Sequence, residues 1–311
     1  MRMLITGGAG FIGSNFVHYM LDKYEDIQVV NIDALTYAGT KDNLEGVLDD
    51  SRHEFVEGDI CDRELISTHI EDVDIIVNFA AESHVDRSIN RSKPFVTTNV
   101  QGTQTLLDVA TDTDIDRFLQ ISTDEVYGEI LDGVFTETDQ LNPRNPYAAT
   151  KAGADLLAKS YKKTHGLPVQ ITRTCNNFGP RQHPEKLIPK LISNTINEKE
   201  LPIYGDGSNV REWIYVEDNC RALDRVLSDG NNGEVYNIGT GHEKTNLEVA
   251  ETILDATGGS EDLITFVEDR PGHDQRYALD TTKIEALGWE PLWSFEEGIQ
   301  KTVEEYTSED N

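Results

Sequence analysis

Residues 3–13 of the chain read Met3-Leu4-Ile5-Thr6-Gly7-Gly8-Ala9-Gly10-Phe11-Ile12-Gly13. The apolar residues at the start predict a short buried strand over 2–6, and the stretch from Ser14 to Leu21 has helical character. The spaced glycines permit a tight turn between them, and a helix N-terminus after such a turn favours a pyrophosphate. The segment therefore predicts a dinucleotide site, although a glycine-rich turn that serves only tight packing is the alternative.

Short apolar runs recur along the first half of the chain. They lie at 27–32, 53–57, 73–80, 117–122 and 168–173. Segments of helical length lie between them at 62–71, 94–112 and 146–165. Apolar runs that alternate with helix-length connections indicate βαβ units, so the sequence predicts an α/β protein with a Rossmann-type, doubly wound parallel sheet.

From about residue 176 the pattern loosens, and Gly and Pro interrupt it repeatedly. We predict a dinucleotide-binding Rossmann domain over 1–175, with a return of the chain to it near 212–242. Residues 176–311 are predicted to form mainly a smaller, loop-rich substrate-binding domain, with helices near 185–197 and 246–257. Such loops are where a substrate pocket is usually built.

The chain is strongly acidic: Lys and Arg number 27, Asp and Glu number 57, and the formal net charge is −30. Because no basic patch is available to neutralise phosphates, the composition argues against a nucleic-acid partner. The acidic residues are spread along the chain, and an evenly acidic surface fits a high-salt cytoplasm in which salt screens self-repulsion. An ordinary acidic enzyme is the alternative to this halophilic interpretation.

The cysteines Cys61, Cys175 and Cys220 do not have the spacing of a metal site. A sparse, odd number of cysteines favours reduced thiols and a cytosolic protein. Neither a signal peptide nor an apolar run long enough to span a membrane is visible in the sequence. We therefore predict a cytoplasmic protein with no bound metal and no membrane association.

Asp33 supports the dinucleotide interpretation. It ends the second predicted strand, 20 residues after Gly13, where a carboxylate can bind the hydroxyls of the adenosine ribose. A carboxylate at this place repels a 2′-phosphate, so the sequence predicts NAD in preference to NADP. Asp59 and Ile60 follow the third strand and could cover the adenine edge, although an Asp at the end of a strand is often only a helix cap.

Tyr147 and Lys151 form a Tyr-x-x-x-Lys motif within a predicted helix. Four-residue spacing places both side chains on one helix face, where the ammonium would lower the pKa of the phenol and make the phenolate an accessible base. Many surface helices carry this motif by chance. Ser122 and Thr123, at the end of a predicted strand, strengthen the interpretation because a hydroxyl there can hold a carbinol oxygen against the tyrosine.

Asp124 and Glu125 directly follow Thr123. They stand at the carboxyl end of a predicted central strand, the edge at which open α/β sheets form active sites. Two adjacent carboxyls are usually a solvated loop or a helix cap, but beside a Tyr/Lys pair they also supply the acid and the base that elimination of water requires. Neighbouring carboxylates tend to split their pKa values, so one can stay protonated. The pair predicts a dehydratase rather than a simple dehydrogenase.

With these motifs the chain resembles the extended short-chain dehydrogenase/reductase family over nearly its whole length. Within that family it is similar to the dTDP-glucose 4,6-dehydratases. The resemblance rests on residues 6–15, 35–39, 58–62, 80–88, 121–128, 176–180, 184–189, 205–211 and 269–274. The triplet Thr123-Asp124-Glu125 and the run from Ser83 to Ser88 are far more selective than the N-terminal glycine motif, which the whole family shares.

The resemblance implies a lyase that converts a nucleoside-diphosphate glucose into its 4-keto-6-deoxy derivative on a bound NAD. Tyr147 would remove the proton of the 4-hydroxyl during oxidation at C4, with Lys151 tuning it and holding the nicotinamide ribose. Thr123 would bind the sugar oxygen. Glu125 would then take the C5 proton while Asp124 protonates the departing C6 hydroxyl, and hydride would return to C6.

The resemblance also implies two sets of binding residues. Residues expected to bind NAD are Gly7, Gly10, Phe11, Ile12, Gly13, Asp33, Ala34, Leu35, Thr36, Asp59, Ile60, Phe79, Ala80, Ala81, Ser83, Thr98, Tyr147, Lys151 and Asn177. Residues expected to bind the nucleotide sugar are Ser83, His84, Thr123, Asn176, Lys186, Leu187, Pro202, Tyr204, Arg211, Arg270 and His273. Family relatives pair two long helices of each subunit in a four-helix bundle, which predicts a homodimer through parts of 94–112 and 146–165.

Several of these assignments have alternatives. Arg211 and Arg270 could form surface ion pairs, although arginines in Gly/Pro-rich loops suit bidentate binding of a diphosphate. His84 and His273 could be structural. His242 stands where the family often has an Asn that approaches the nucleotide, which leaves the preferred base open.

Other functions remain open from sequence. A UDP-sugar 4-epimerase or decarboxylase of the same family is the nearest alternative. Epimerases that resemble this chain lack the Asp-Glu pair, and decarboxylases typically keep the Glu but not the Asp. A catalytically silent dinucleotide-binding sensor or scaffold would be expected to lose Tyr147, Lys151 or the carboxyl pair, all of which are present.

Overall fold

The computed structural model of the chain describes residues 1–269 and 274–308. Its strands are β1 (Arg2–Thr6), β2 (Gln28–Asp33), β3 (His53–Glu57), β4 (Ile75–Asn78), β5 (Arg117–Thr123), β6 (Val169–Thr174), β7 (Asn176–Phe178), β8 (Leu201–Tyr204), β9 (Val210–Tyr215), β10 (Val235–Ile238), β11 (Glu243–Thr245) and β12 (Ile264–Val267). Its α-helices are α1 (Phe11–Lys23), α2 (Arg63–His69), α3 (Val85–Asn90), α4 (Lys93–Phe95), α5 (Thr103–Ala110), α6 (Pro146–His165), α7 (Leu187–Ile196), α8 (Val216–Asp229), α9 (Asn246–Thr257), α10 (Thr282–Glu285) and α11 (Phe295–Ser308).

The large sheet has the strand order β10-β6-β5-β4-β1-β2-β3, and its neighbouring strands pair in parallel. The predicted Rossmann-type α/β fold is therefore confirmed. The strand order reverses at β1, which lies between β2 and β4. In open parallel sheets, ligands bind in the crevice at the carboxyl ends of the strands next to such a reversal.

Both faces of the large sheet are covered, and β1 shows how. Successive side chains of a strand point to opposite faces. Met3 and Ile5 therefore pack in the core with α1 and α8, whereas Leu4 packs in the core with α5 and α6, and all three residues are fully buried. Burial on both faces explains why the strands appear in the sequence as continuous apolar runs rather than as alternating ones.

The later part of the chain builds a second group of elements. β7, β9 and β11 form a three-stranded sheet, and β8 pairs in parallel with β12. Helices α7, α9 and α11 pack in a third apolar core that includes Leu191, Val249 and Phe295. The chain returns to the large sheet at β10, which pairs with β6. β10 has four residues, too few to stand out as a separate apolar run in the sequence.

The predicted helix over 94–112 is not uniform. A π-helical segment, Val96–Gly102, separates α4 from α5. Such segments have wider turns than an α-helix and are frequent at functional sites. Here the segment holds Asn99 in the interior, 1% exposed, where the side-chain amide accepts a hydrogen bond from the Glu82 N–H at 2.8 Å and donates one to the Glu82 carbonyl at 3.0 Å. The loop after β4 is thereby fixed to the helix.

Candidate active site

The glycine turn between β1 and α1 needs glycine for steric reasons. Gly7 has φ +72, and a Cβ atom there would lie 2.5 Å from the Ala80 nitrogen. A Cβ atom on Gly13 would lie 2.3 Å from the Gly7 carbonyl oxygen. Gly10 is the N-cap residue of α1 and has no side chain over the first helical turn. The turn therefore leaves the N-terminus of α1 open to an anionic group, as a dinucleotide pyrophosphate requires.

Asp33 has a structural role that its place in the sequence did not reveal. Its carboxylate accepts hydrogen bonds from the backbone N–H groups of Ala9, at 2.9 Å, and Leu35, at 2.8 Å. Burial raises the pKa of Asp33, and these backbone hydrogen bonds oppose that rise. Asp33 therefore braces the glycine turn as well as facing the cavity beside it.

A cavity lies over the glycine turn at the carboxyl ends of the strands, and we call it the glycine-turn cavity. Its lining includes these predicted NAD-binding residues: Gly7, Gly10, Phe11, Ile12, Gly13, Asp33, Ala34, Thr36, Asp59, Ile60, Phe79, Ala80, Ala81, Ser83, Thr98, Tyr147 and Lys151. Two predicted residues do not line it. Leu35 packs beside the core on the α1 side, and Asn177 lines the neighbouring cavity.

Other residues of this lining were not assigned from the sequence. They include Tyr37, Gly39, Gly58, Gln182 and His183. Tyr37 and Gly39 could have been found, because they follow the predicted stretch 33–36 directly. Gln182 and His183 come from a loop after β7 whose approach to the cavity depends on tertiary packing. Asp59 does not cap α2, because that cap is Asp62.

Lys151 is buried in the second turn of α6, only 4% exposed. Its ammonium donates a hydrogen bond to the carbonyl oxygen of Ile121 in β5, 2.6 Å away. Burial lowers the pKa of Lys151 to about 8, and the nearby Asp155 carboxylate opposes that shift. The side chain is thereby held between α6 and the end of the central strand, where it also lines the glycine-turn cavity.

The expected lowering of the Tyr147 pKa is wrong for this structure. Burial and the Glu125 carboxylate raise the pKa of the phenol, and a hydrogen bond with the Thr123 side chain opposes them. The Lys151 ammonium does not offset this rise in the pKa of Tyr147, because it is directed to the backbone carbonyl of Ile121. The backbone N–H of Tyr147 donates to the Ser88 hydroxyl at 3.2 Å, which fixes the first turn of α6 against α3.

The Thr123-Asp124-Glu125 triplet lies at the junction of β5 and a short 3-10 turn, Asp124–Tyr127. The Thr123 hydroxyl donates to the Asp124 carboxyl at 3.1 Å and accepts a hydrogen bond from the Glu125 N–H at 3.3 Å. Asp124 is 3% exposed. Burial, followed by the carboxylates of Glu125 and Glu212, raises the pKa of Asp124 to about 8. With a pKa of about 8, the Asp124 carboxyl is mostly protonated near neutral pH.

Glu125 faces a second cavity, which we call the Glu125 cavity. Its lining includes these predicted substrate-binding residues: Ser83, His84, Asn176, Lys186, Leu187, Pro202, Tyr204 and Arg211. The lining also contains residues that the sequence analysis missed, among them Asp86, Glu185, Trp213, Asn246 and Tyr277. Thr123 and Asp124 are buried and do not appear in the described lining of either cavity. Arg270 and His273 lie outside the described residues.

The alternative interpretation of Arg211 as a surface ion pair does not hold. Arg211 is 7% exposed, and its guanidinium donates to the carbonyl oxygen of Asp274 at 2.8 Å. It also stacks over the Tyr277 ring, 4.6 Å from the centroid. His84 does have a structural role, because its Nδ1 accepts the Arg87 N–H at the start of α3. His242 is absent from the described lining of the Glu125 cavity.

Two absences hold for the part of the chain that the structure describes. No group of His, Cys, Asp and Glu side chains there could hold a metal ion. None of its helices combines the length and the apolar character that crossing a membrane requires. The three cysteines lie in the described ranges as free thiols.

The chain is similar to known proteins along its whole length. Residues 4–302 match the family model described as GDP-mannose 4,6 dehydratase. The low-salt glycan biosynthesis protein Agl12 of Haloferax volcanii is 70% identical over 310 residues, which cover 100% of each chain. A dTDP-glucose 4,6-dehydratase of Streptomyces niveus is 50% identical over 311 residues, 98% of this chain and 93% of the relative. The crystal structure of the Streptomyces venezuelae dTDP-glucose 4,6-dehydratase DesIV, with NAD bound, has a TM-score of 0.96 at 52% identity and covers 99% of this chain and 97% of that one.

Proposed function

Because the chain belongs to the family described as GDP-mannose 4,6 dehydratase, we propose that it is an NAD-dependent 4,6-dehydratase of a nucleoside-diphosphate glucose. dTDP-glucose is the proposed substrate, since relatives at about half identity are dTDP-glucose 4,6-dehydratases. The product is the 4-keto-6-deoxy sugar, a precursor for deoxysugar biosynthesis.

One observation carries this proposal: the carboxyls of Asp124 and Glu125 both interact electrostatically with the Tyr147 phenol, beside two cavities that share lining residues. Tyr147 lines the glycine-turn cavity, and Glu125 lines the Glu125 cavity. Ser83 and Lys186 line both cavities. A sugar ring at this junction would have its C4 near the phenol and its C5–C6 bond near the two carboxyls. Elimination of water needs this combination, because one group must take a proton while another gives one.

Each proton transfer is assigned to one residue of the site. Bound NAD would supply hydride chemistry, accepting hydride from C4 and returning it to C6. Burial raises the pKa of Tyr147, so the phenol must first lose its own proton. The phenolate then takes the proton of the 4-hydroxyl, and Thr123 binds the same oxygen. Glu125 removes the C5 proton, which the new 4-ketone has made acidic, and Asp124 gives its proton to the C6 hydroxyl so that water leaves. Glu125 then returns its proton to C5. At the end of the cycle, Asp124 regains a proton from solvent and Tyr147 releases the one that it took, so the site returns to its starting state.

Two rival functions are distinguished by product. A 4-epimerase of this family would return a C4-inverted sugar and would have no need of the Asp124 and Glu125 pair. A silent sensor or scaffold would bind NAD without turnover. Incubation of the protein in high salt with dTDP-, UDP-, CDP- and GDP-glucose, followed by product analysis, tests all three. Release of a 4-keto-6-deoxy sugar supports the dehydratase, and a C4-epimerised or unchanged sugar contradicts it.

We expect the protein to bind NAD⁺ much more tightly than NADP⁺. Asp33 is buried against the glycine turn with its carboxylate facing the glycine-turn cavity, where it would repel a 2′-phosphate. Asp33→Ala should narrow the difference between the two dissociation constants, measured by calorimetry. Because Asp33 also braces the turn, this variant should weaken NAD⁺ as well, and Asp33→Asn serves as a control that keeps the size of the side chain. Equal affinities for both dinucleotides in the unmutated protein would contradict the assignment.

We also propose that the protein is adapted to high salt. With a net charge of −30, repulsion between surface carboxylates should destabilise the fold at low ionic strength, and salt should screen it. The melting temperature should therefore rise strongly from low to molar KCl. A melting temperature that does not change over that range of KCl concentration would contradict the proposed adaptation to high salt.

A cytoplasmic homodimer is the form that we propose for the enzyme. Free thiols agree with a reducing compartment. Exposed apolar side chains on the two helices of the proposed four-helix bundle support the dimer. These are Val96, which is 50% exposed beside α4, and Leu156, which is 58% exposed on α6. Pairing of these helices between subunits would remove both side chains from water.

A further inference from the structure

Asn145 holds two parts of the site with the two ends of one amide. It is the N-cap residue of α6, and its Oδ1 accepts the backbone N–H of Ala148 at 2.8 Å. Its Nδ2 donates to Oε2 of Glu125 at 2.9 Å. The amide therefore connects the 3-10 turn after β5 to the first turn of the helix that carries Tyr147.

The first turn of α6 is a rigid support for this amide. Pro146 occupies the first helical position, where its fixed φ suits the helix and its missing N–H leaves no donor unpaired. The Tyr147 N–H is bound to the Ser88 hydroxyl. Because Asn145 and Tyr147 share this turn, a hydrogen bond from Asn145 also fixes where the Glu125 carboxylate stands relative to the phenol.

We infer that Asn145 is a positioning residue for the elimination step, which holds the Glu125 carboxylate in the orientation that removes the C5 proton. This inference rests on the proposed function and deepens it, because it assigns the base a partner that the reaction scheme does not contain.

Glu125 lies among several charged and polar groups. Asp124 and the phenols of Tyr147 and Tyr277 interact electrostatically with Glu125. The Glu125 cavity also contains Lys186, Arg211, Asp86 and Glu185. A directed N–H donor stabilises the Glu125 carboxylate and fixes its orientation among these groups.

A simple capping role is the competing explanation, and it can be separated by mutation. Asn, Asp and Ser are nearly equivalent as N-caps, whereas Ala is not. Asn145→Ser keeps an acceptor for the Ala148 N–H but replaces the amide donor to Glu125 with a shorter hydroxyl. Asn145→Asp also keeps the cap, and it places a second carboxylate against Glu125. Asp62→Ala is a matched control, because Asp62 caps α2 with its side chain and lines neither cavity.

The experiment measures melting temperature, single-turnover oxidation at C4 and single-turnover loss of the C5 proton, each with dTDP-glucose in high salt. Asn145→Ser and Asn145→Asp should melt close to the unmutated protein, and both should oxidise C4 at the unmutated rate. Loss of the C5 proton should slow about tenfold in Asn145→Ser, as expected for one hydrogen bond to a charged group. It should slow about 10²-fold in Asn145→Asp, where the base is also displaced.

The pH dependence gives an independent readout. A carboxylate at position 145 disfavours ionisation of Glu125, so the rising limb of the elimination rate should move to higher pH in Asn145→Asp. Asp62→Ala should lower the melting temperature without changing the elimination rate. Asn145→Ser and Asn145→Asp that eliminate at the unmutated rate, with an unmoved pH profile, would overturn the inference. A failure of the proposed function is distinguishable, because then the unmutated protein itself would release no 4-keto-6-deoxy sugar.

Discussion

Glu125→Gln is expected to stop the reaction after the first oxidation. Gln keeps the size of the side chain and an oxygen that can accept the Asn145 N–H, but it cannot take the C5 proton. Loss of a positioned general base typically costs about 10²–10⁴-fold in rate. Oxidation at C4 does not use this carboxylate, so reduced cofactor should accumulate on the enzyme without release of a 4-keto-6-deoxy sugar. Single-turnover absorbance of the reduced nicotinamide, together with product analysis, measures both half-reactions.

Asp124→Asn is the comparison for this variant. It removes the proposed acid, but solvent can supply a proton to the departing C6 hydroxyl, so elimination should slow less than in Glu125→Gln. A Glu125→Gln protein that makes the product at the unmutated rate would show that another group is the base. Melting temperatures of both variants should stay near that of the unmutated protein, which separates a chemical defect from misfolding.

Tyr147→Phe should block the reaction one step earlier. The phenol is the group that we propose takes the 4-hydroxyl proton, and its loss should reduce C4 oxidation by about 10²–10⁴-fold. The aromatic ring remains to pack edge-on against Phe95, whose centroid lies 6.5 Å away. The variant should therefore fold normally and bind NAD, yet give no reduced-cofactor signal after addition of dTDP-glucose.

The contrast between these two variants tests the order of the half-reactions. Glu125→Gln should accumulate reduced cofactor, and Tyr147→Phe should not. Binding of NAD⁺ to Tyr147→Phe, measured by calorimetry, is the control for an intact cofactor site. Accumulation of reduced cofactor by Tyr147→Phe at the unmutated rate would exclude the phenol as the first base.

Local sequence determined the fold and much of the candidate site. The glycine turn could be recognised because two of its requirements are local: Gly7 has a positive φ, and Gly13 lies against the Gly7 carbonyl oxygen. The spacing of Tyr147 and Lys151 placed both on one helix face, since helical periodicity is a local property. The parallel sheet could be predicted because its strands are buried on both faces. Their sequences are therefore continuous apolar runs in which polar and apolar residues do not alternate. The position of Thr123, Asp124 and Glu125 directly at the end of a strand predicted an active site at the carboxyl edge of the sheet.

Tertiary structure decided the partners and the protonation of those residues. Asp124 stays protonated because burial and the distant Glu212 act on it, and neither effect is visible in the triplet itself. The Lys151 ammonium is bound to the carbonyl of Ile121, so burial governs the pKa of Tyr147. The Glu125 carboxylate meets the cap of another helix at Asn145. Residue types and local spacing depend on short stretches of chain, whereas desolvation and charge–charge interactions depend on what packing brings together.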